Sequence, residues 1–155
     1  MRLHLCAVGR IGPSPERDLV EDYAARLDRT GRALSLGPLV LREVEARRGG
    51  AEAEAALLGR AAPEGARLVA LDERGRMLSS PDLALLLARW RDEGARDAAF
   101  LLGGADGLHP PLRERAHLAL SFGPMVWPHR LARVMLAEQL YRAASILAGT
   151  PYHRA

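Results

Sequence analysis

The stretch Ala98-Ala99-Phe100-Leu101-Leu102-Gly103-Gly104-Ala105-Asp106-Gly107-Leu108-His109-Pro110-Pro111 decides the fold. Five apolar residues followed at once by glycine read as a short strand. The Gly-rich run ends it, and Pro110-Pro111 opens a helix that the pattern carries to about Leu118. Strand, turn and helix in that order make one repeat of an α/β layer.

Working outward, the same unit recurs. Leu3–Val8 is a strand closed by Gly9. Ser14 reads as an N-cap with Pro15 at the first helical position. Leu19, Val20, Tyr23, Ala24 and Leu27 follow at helical spacing, with Gly31 as the stop. Leu34–Val44 is strand-like but interrupted by Gly37-Pro38. Ala51–Arg60, rich in alanine and glutamate, is expected as an exposed helix. Arg67–Asp72 is a further strand, and Glu73–Met77 reads as a polar turn around Gly75. Ser80-Pro81 pairs an N-cap with an N1 proline, and Leu83, Leu86, Leu87 and Trp90 form an apolar stripe. Ala119–Phe122 and Met125–Trp127 are short extended pieces, and Arg130–Leu147 is a long final helix.

The expected fold class is α/β: a mainly parallel sheet with helices on both faces, in a single domain over residues 1–155. The final helix is apolar on more than one side, through Leu131, Val134, Met135, Leu136, Leu140 and Tyr141. That pattern suits packing on the chain's own core and on a second subunit, or full burial within one.

Composition bounds the function. With 48% hydrophobic and 26% charged residues, the chain has the balance of a soluble globular protein. No run approaches the roughly 20 apolar residues of a membrane span. The lone Cys6 excludes an internal disulfide and fits a reducing compartment. Together these point to a cytoplasmic protein without a membrane partner. All 22 basic residues are arginine, and they are unevenly placed. From Gly107 to Ala155 six arginines stand against two acids, a balance of +4; the remainder carries −1. Such a basic third draws a polyanion such as RNA.

Three strand ends offer loops for a ligand: Leu71-Asp72, Gly103-Gly104 and Phe122-Gly123-Pro124. Gly103–Gly107 lacks the spacing of a dinucleotide fingerprint, and a lysine-free chain holds no phosphate-binding G-K-[ST] loop. The loop Phe122–Trp127 suits an adenosine-type ligand held by backbone hydrogen bonds and apolar walls. No metal site is expected, because the histidines are scattered and Cys6 stands apart from all but His4. His153, between Tyr152 and Arg154, is the best acid/base candidate by residue type.

Taken in order, the segments LHLCAVG from Leu3, LVALDERGRMLSS from Leu68, FLLGGADGLHP from Phe100, ALSFGPMVWPHRLARVMLAEQLYRA from Ala119 and the closing PYHR resemble the ribosomal RNA large-subunit methyltransferase H family. That family lies within the SPOUT class of knotted methyltransferases, and the resemblance spans essentially the whole chain. It implies a deep C-terminal trefoil knot and S-adenosylmethionine as cofactor. The implied pocket takes Leu71, Gly103, Phe122, Gly123, Pro124, Met125, Val126 and Trp127. It implies a homodimer acting on assembled ribosomes, with N3 of a pseudouridine in helix 69 of the 23S ribosomal RNA as the methyl acceptor. The side-chain types at the tail then give His153 as proton acceptor and Tyr152 as a stacking or hydrogen-bonding partner of the base. Arg154 stabilises the developing anion or holds phosphate, and His129 and Arg133 orient the tail or bind RNA. Two readings from other classes stand beside this one. A non-catalytic ribosome- or RNA-binding protein needs the basic third but no cofactor cavity. A nucleotide-binding oxidoreductase needs the glycine fingerprint that is missing.

Overall fold

The computed structural model describes residues 1–153. Five strands alternate with five helices: β1 (Arg2–Val8), α1 (Pro15–Gly31), β2 (Leu39–Val44), α2 (Gly50–Ala61), β3 (Arg67–Met77), α3 (Ser80–Asp92), β4 (Asp97–Leu102), α4 (Pro110–Arg115), β5 (Leu118–Ser121) and α5 (His129–Ala148). The strands pair in the order β2-β1-β4-β3-β5, every pair parallel.

The period of two along each strand sorts side chains into two cores. Leu3, Leu5, Ala98 and Phe100 pack with α1, α3 and α5 on one face. Cys6, Ala99 and Leu101 pack with Leu58 of α2 and Leu112 of α4 on the other. All six residues of β4, the central strand, are buried. Burying a side chain such as Phe100 or Leu101 contributes about 1.5–3 kcal/mol each.

The helix starts follow their caps. Ser14 Oγ accepts from Arg17 N–H at 3.2 Å, ahead of Pro15. For α3 the N-cap is Ser79 rather than Ser80: Ser79 Oγ accepts from Asp82 N–H at 3.2 Å. Proline fits here too, since first-turn N–H groups have no helical acceptor. Two other boundaries also move. The helix from Pro110 stops at Arg115, because Leu118 is taken up by β5 opposite Val69. Leu34–Val44 becomes a 3₁₀ turn at Arg32–Leu34 and a strand that starts only at Leu39.

The expected polar turn at Glu73–Met77 is instead the second half of β3. Pairing to β5 shifts register between Leu71 and Arg76, then resumes as Arg76 opposite Leu120 and Met77 opposite Ser121. Asp72 Oδ1 accepts from Arg74 N–H at 2.8 Å and curls the chain. Gly75 lets it return: a Cβ there would lie 2.6 Å from the Ala119 carbonyl. This bulge brings Leu71–Arg74 beside the loop that follows β5.

Candidate functional site

The carboxyl ends of β3, β4 and β5 converge on a cavity of about 400 Å³. Leu71–Arg74 form one wall and Ala105–Leu108 a second. Leu120, Phe122, Gly123 and Met125–Trp127 form a third. Of the residues expected at a cofactor pocket, Leu71, Phe122, Gly123, Met125, Val126 and Trp127 therefore meet around one space. Gly103 and Pro124 are not among its lining residues. Gly103 is needed for the turn itself, because a Cβ would lie 2.4 Å from Gly107 O and 2.8 Å from Leu108 N. No other residue allows Gly107 and Leu108 to sit so close while walling the cavity.

Ser121 joins two of these walls. It is 5% exposed, and its Oγ sits 3.0 Å from Glu73 O, to which it donates, while accepting from Gly123 N–H at 3.0 Å. Nothing in the sequence marks it, since a serine ending a short strand carries no local signal. Asp72 is held as firmly. Arg74 N–H, Arg74 Nε and Arg113 Nη1 donate to it at 2.8, 3.3 and 2.9 Å. Burial pushes its carboxyl up, but the Arg74 and Arg113 hydrogen bonds more than offset this and hold it below the usual carboxylate range.

A larger cavity, about 650 Å³, lies on the other side of Phe122 and Gly123. It runs between the start of α3 and the outer face of α5, past Met77, Leu78, Val134 and Met135 to Glu138 and Arg142. Near it the tail turns back. Tyr152 donates to Glu138 Oε1 at 2.9 Å, and its ring meets Tyr141 with centroids 4.5 Å apart. Burial and that hydrogen bond push the Tyr152 phenol up, so it remains a donor through neutral pH. His153 is partly buried, and its Nδ1, itself buried, has no hydrogen-bond partner among the described residues. Neither Tyr152 nor His153 lines either cavity. Arg154 lies outside the described residues.

His129 and Arg133 part company. His129 is exposed at the start of α5. Arg133 is only 3% exposed, and its guanidinium is already engaged. Its Nη2 donates to Val8 O at 2.6 Å and Gly9 O at 2.9 Å, and its Nη1 to Glu43 at 3.1 Å. It fastens α5 to the ends of β1 and β2 and offers no face to phosphate. Among the described residues, no cluster of three His, Cys, Asp or Glu side chains is arranged to hold a metal. No helix among them is long and apolar enough to cross a membrane.

Comparison with known proteins adds to this geometry. The family model described as "Predicted SPOUT methyltransferase" matches residues 1–153. A Cereibacter sphaeroides protein named Ribosomal RNA large subunit methyltransferase H is 67% identical over 155 residues, covering 99% of both chains. A Dinoroseobacter shibae protein of the same name is 64% identical over the same span, again covering 99% of each. Among solved structures, a probable methyltransferase from Bordetella pertussis superposes with a TM-score of 0.51 at 17% identity, covering 92% of this chain and 96% of that one. At that identity it speaks for the fold alone.

Proposed function

The chain belongs to the SPOUT methyltransferase family, and from that premise we propose that it transfers a methyl group from S-adenosylmethionine to N3 of a pseudouridine in helix 69 of large-subunit ribosomal RNA, within the ribosome in the cytoplasm. The carrying observation is the cavity beyond β3, β4 and β5, closed by a turn that only glycine at 103 permits. Its volume of about 400 Å³ fits a nucleoside-sized ligand. Apolar walls from Leu71, Leu120, Phe122 and Val126 suit an adenine face. The backbone of Ala105–Leu108 offers polar contacts of the kind a nucleoside needs.

S-adenosylmethionine supplies a methyl group already activated on sulfur. The chain's own residues have then to align the acceptor nitrogen, exclude water and take a proton. The cavity walls hold and orient the cofactor. His153 accepts the N3 proton directly or through water. Tyr152, whose hydroxyl donates to Glu138 and whose ring packs on Tyr141 under Arg142, holds the tail in place and does not act as a base. Arg154 stabilises the anion that develops as the proton leaves. Arg130 and His129, exposed at the start of α5, provide charge and donors toward RNA.

The active unit in this reading is a homodimer. Leu131 is 41% exposed, and Val134 and Met135 face the open larger cavity. A second copy packed there would cover this apolar face of α5 and bring its tail toward the Phe122–Trp127 loop. Calorimetry with S-adenosylmethionine and with NADH tests the reading. Binding of the first and not the second supports it. Binding of NADH alone favours the oxidoreductase, and binding of neither favours a non-catalytic RNA-binding protein. His153→Ala is expected to retain cofactor binding and lose methyl transfer; unchanged turnover would remove His153 from the mechanism.

A further inference from the structure

The C-terminal turn is anchored more tightly than a chain end requires. Gly149 caps α5, and Thr150 N–H returns to Ser145 O at 3.0 Å. The chain reverses, and Pro151–His153 packs back on the helix. Tyr152 there meets three groups. Its hydroxyl donates to Glu138 Oε1 at 2.9 Å. The Arg142 guanidinium carbon stands 5.0 Å from its ring centroid. The Tyr141 ring flanks it at 4.5 Å and in turn leans on Tyr23 of α1 at 6.2 Å.

Glu138 organises this cluster. Its Oε1 also accepts from Arg142 Nε at 3.0 Å and Nη2 at 2.5 Å, and its Oε2 accepts from Gln139 at 3.0 Å. As an i, i+4 pair on a helix, Glu138 and Arg142 are worth little to stability alone. Here the pair has a third member from the tail. Consecutive Cα atoms are about 3.8 Å apart, so fixing Tyr152 confines His153 to a small volume.

We propose that Glu138 is a positioning residue for the transfer reaction: it seats Tyr152, with Arg142 over the ring, and thereby sets where His153 is presented. This rests on the reading of His153 as proton acceptor. Glu138 touches neither cofactor nor base in this account; it acts through Tyr152. The Tyr141 contact persists without it, so the fold is spared while the tail loosens.

Glu138→Ala, Glu138→Gln, Tyr152→Phe and the Ala/Phe double variant are compared in the full-length protein. Loss of a hydrogen bond to a charged acceptor is expected to lower kcat about tenfold in Glu138→Ala, with cofactor Kd unchanged. Glu138→Gln keeps an acceptor oxygen and recovers most of that loss. The double variant is no slower than Glu138→Ala, because both changes break one contact. Chymotrypsin cleavage after residue 152, followed by mass spectrometry, reads the seating without any catalysis. It should release the last three residues about tenfold faster from Glu138→Ala than from the parent. Additive losses in the double variant, equal cleavage rates, or a cofactor affinity that falls as far as kcat would each overturn the proposal. Were the parent protein unable to transfer methyl groups, the proposed reaction would fall, and the cleavage comparison would still decide the seating.

Discussion

Gly103→Ala probes the cavity at its narrowest constraint. The new Cβ would lie 2.4 Å from Gly107 O, where ordinary contact begins near 3.4 Å. The Gly107–Leu108 backbone must therefore move by about 1 Å, and it is a wall of the cavity. Overpacking of this kind costs about 1–3 kcal/mol. If half of that strain, about 0.5–1.5 kcal/mol, is borne by the displaced wall, cofactor affinity falls about 2- to 12-fold, since 1.4 kcal/mol is a factor of ten. Gly12→Ala is the control, because a Cβ there meets nothing within 4 Å. It should change stability by less than about 0.5 kcal/mol. The assays are urea unfolding and calorimetry with S-adenosylmethionine. Parent-like affinity in a destabilised Gly103→Ala protein would make the turn mere scaffold. Parent-like affinity and stability together would refute the steric argument itself.

Three further outcomes follow from the same structure. Arg133→Met leaves Val8 O and Gly9 O without the guanidinium donor and the Glu43 carboxylate with the Ile11 N–H but no cation, and should cost about 3–5 kcal/mol in urea unfolding; a loss under about 1 kcal/mol would mean the guanidinium is no tie. Asp97 is buried, which pushes its carboxyl up, but hydrogen bonds from Arg2 and His4 more than offset this and hold it below its usual value. Its stabilisation is therefore complete above the unfolded value of about 3.9 and is lost as pH falls through the lower folded value. The melting-temperature gap between the parent and Asp97→Asn should close in acid, and a gap independent of pH would contradict this. Of the two tryptophans, Trp90 is 7% exposed in the core and Trp127 is 40% exposed at the cavity. Cofactor binding should change the intrinsic fluorescence of the parent and leave that of Trp127→Phe unaltered, as steady-state titration would show.

The alternation of apolar runs with capped amphipathic runs was legible because each signal is local. Ser14-Pro15, the stripe through Leu83 and Trp90, and the run before Gly103 all report on neighbours within one or two turns. The parts that escaped depend on distant partners. Glu73–Met77 is polar enough to read as a turn, and only pairing with β5, more than forty residues on, makes it strand. Arg133 carries the charge of an RNA contact, yet its acceptors lie 90 to 125 residues away. Glu138 and Arg142 show only an i, i+4 spacing in the sequence, and their third partner, Tyr152, comes from the tail. The ligand loops were legible from strand ends and again from the resemblance, and Leu71, Phe122, Gly123, Met125, Val126 and Trp127 among them line one cavity, while Gly103 and Pro124 do not. Their contacts with a bound cofactor remain part of the proposal.

The most direct test is mass spectrometry of large-subunit ribosomal RNA from a strain lacking this chain. The account predicts one pseudouridine in helix 69 without its N3 methyl, and the methyl restored when the chain, but not its His153→Ala variant, is returned. A fully methylated pseudouridine in the deletion strain would contradict it.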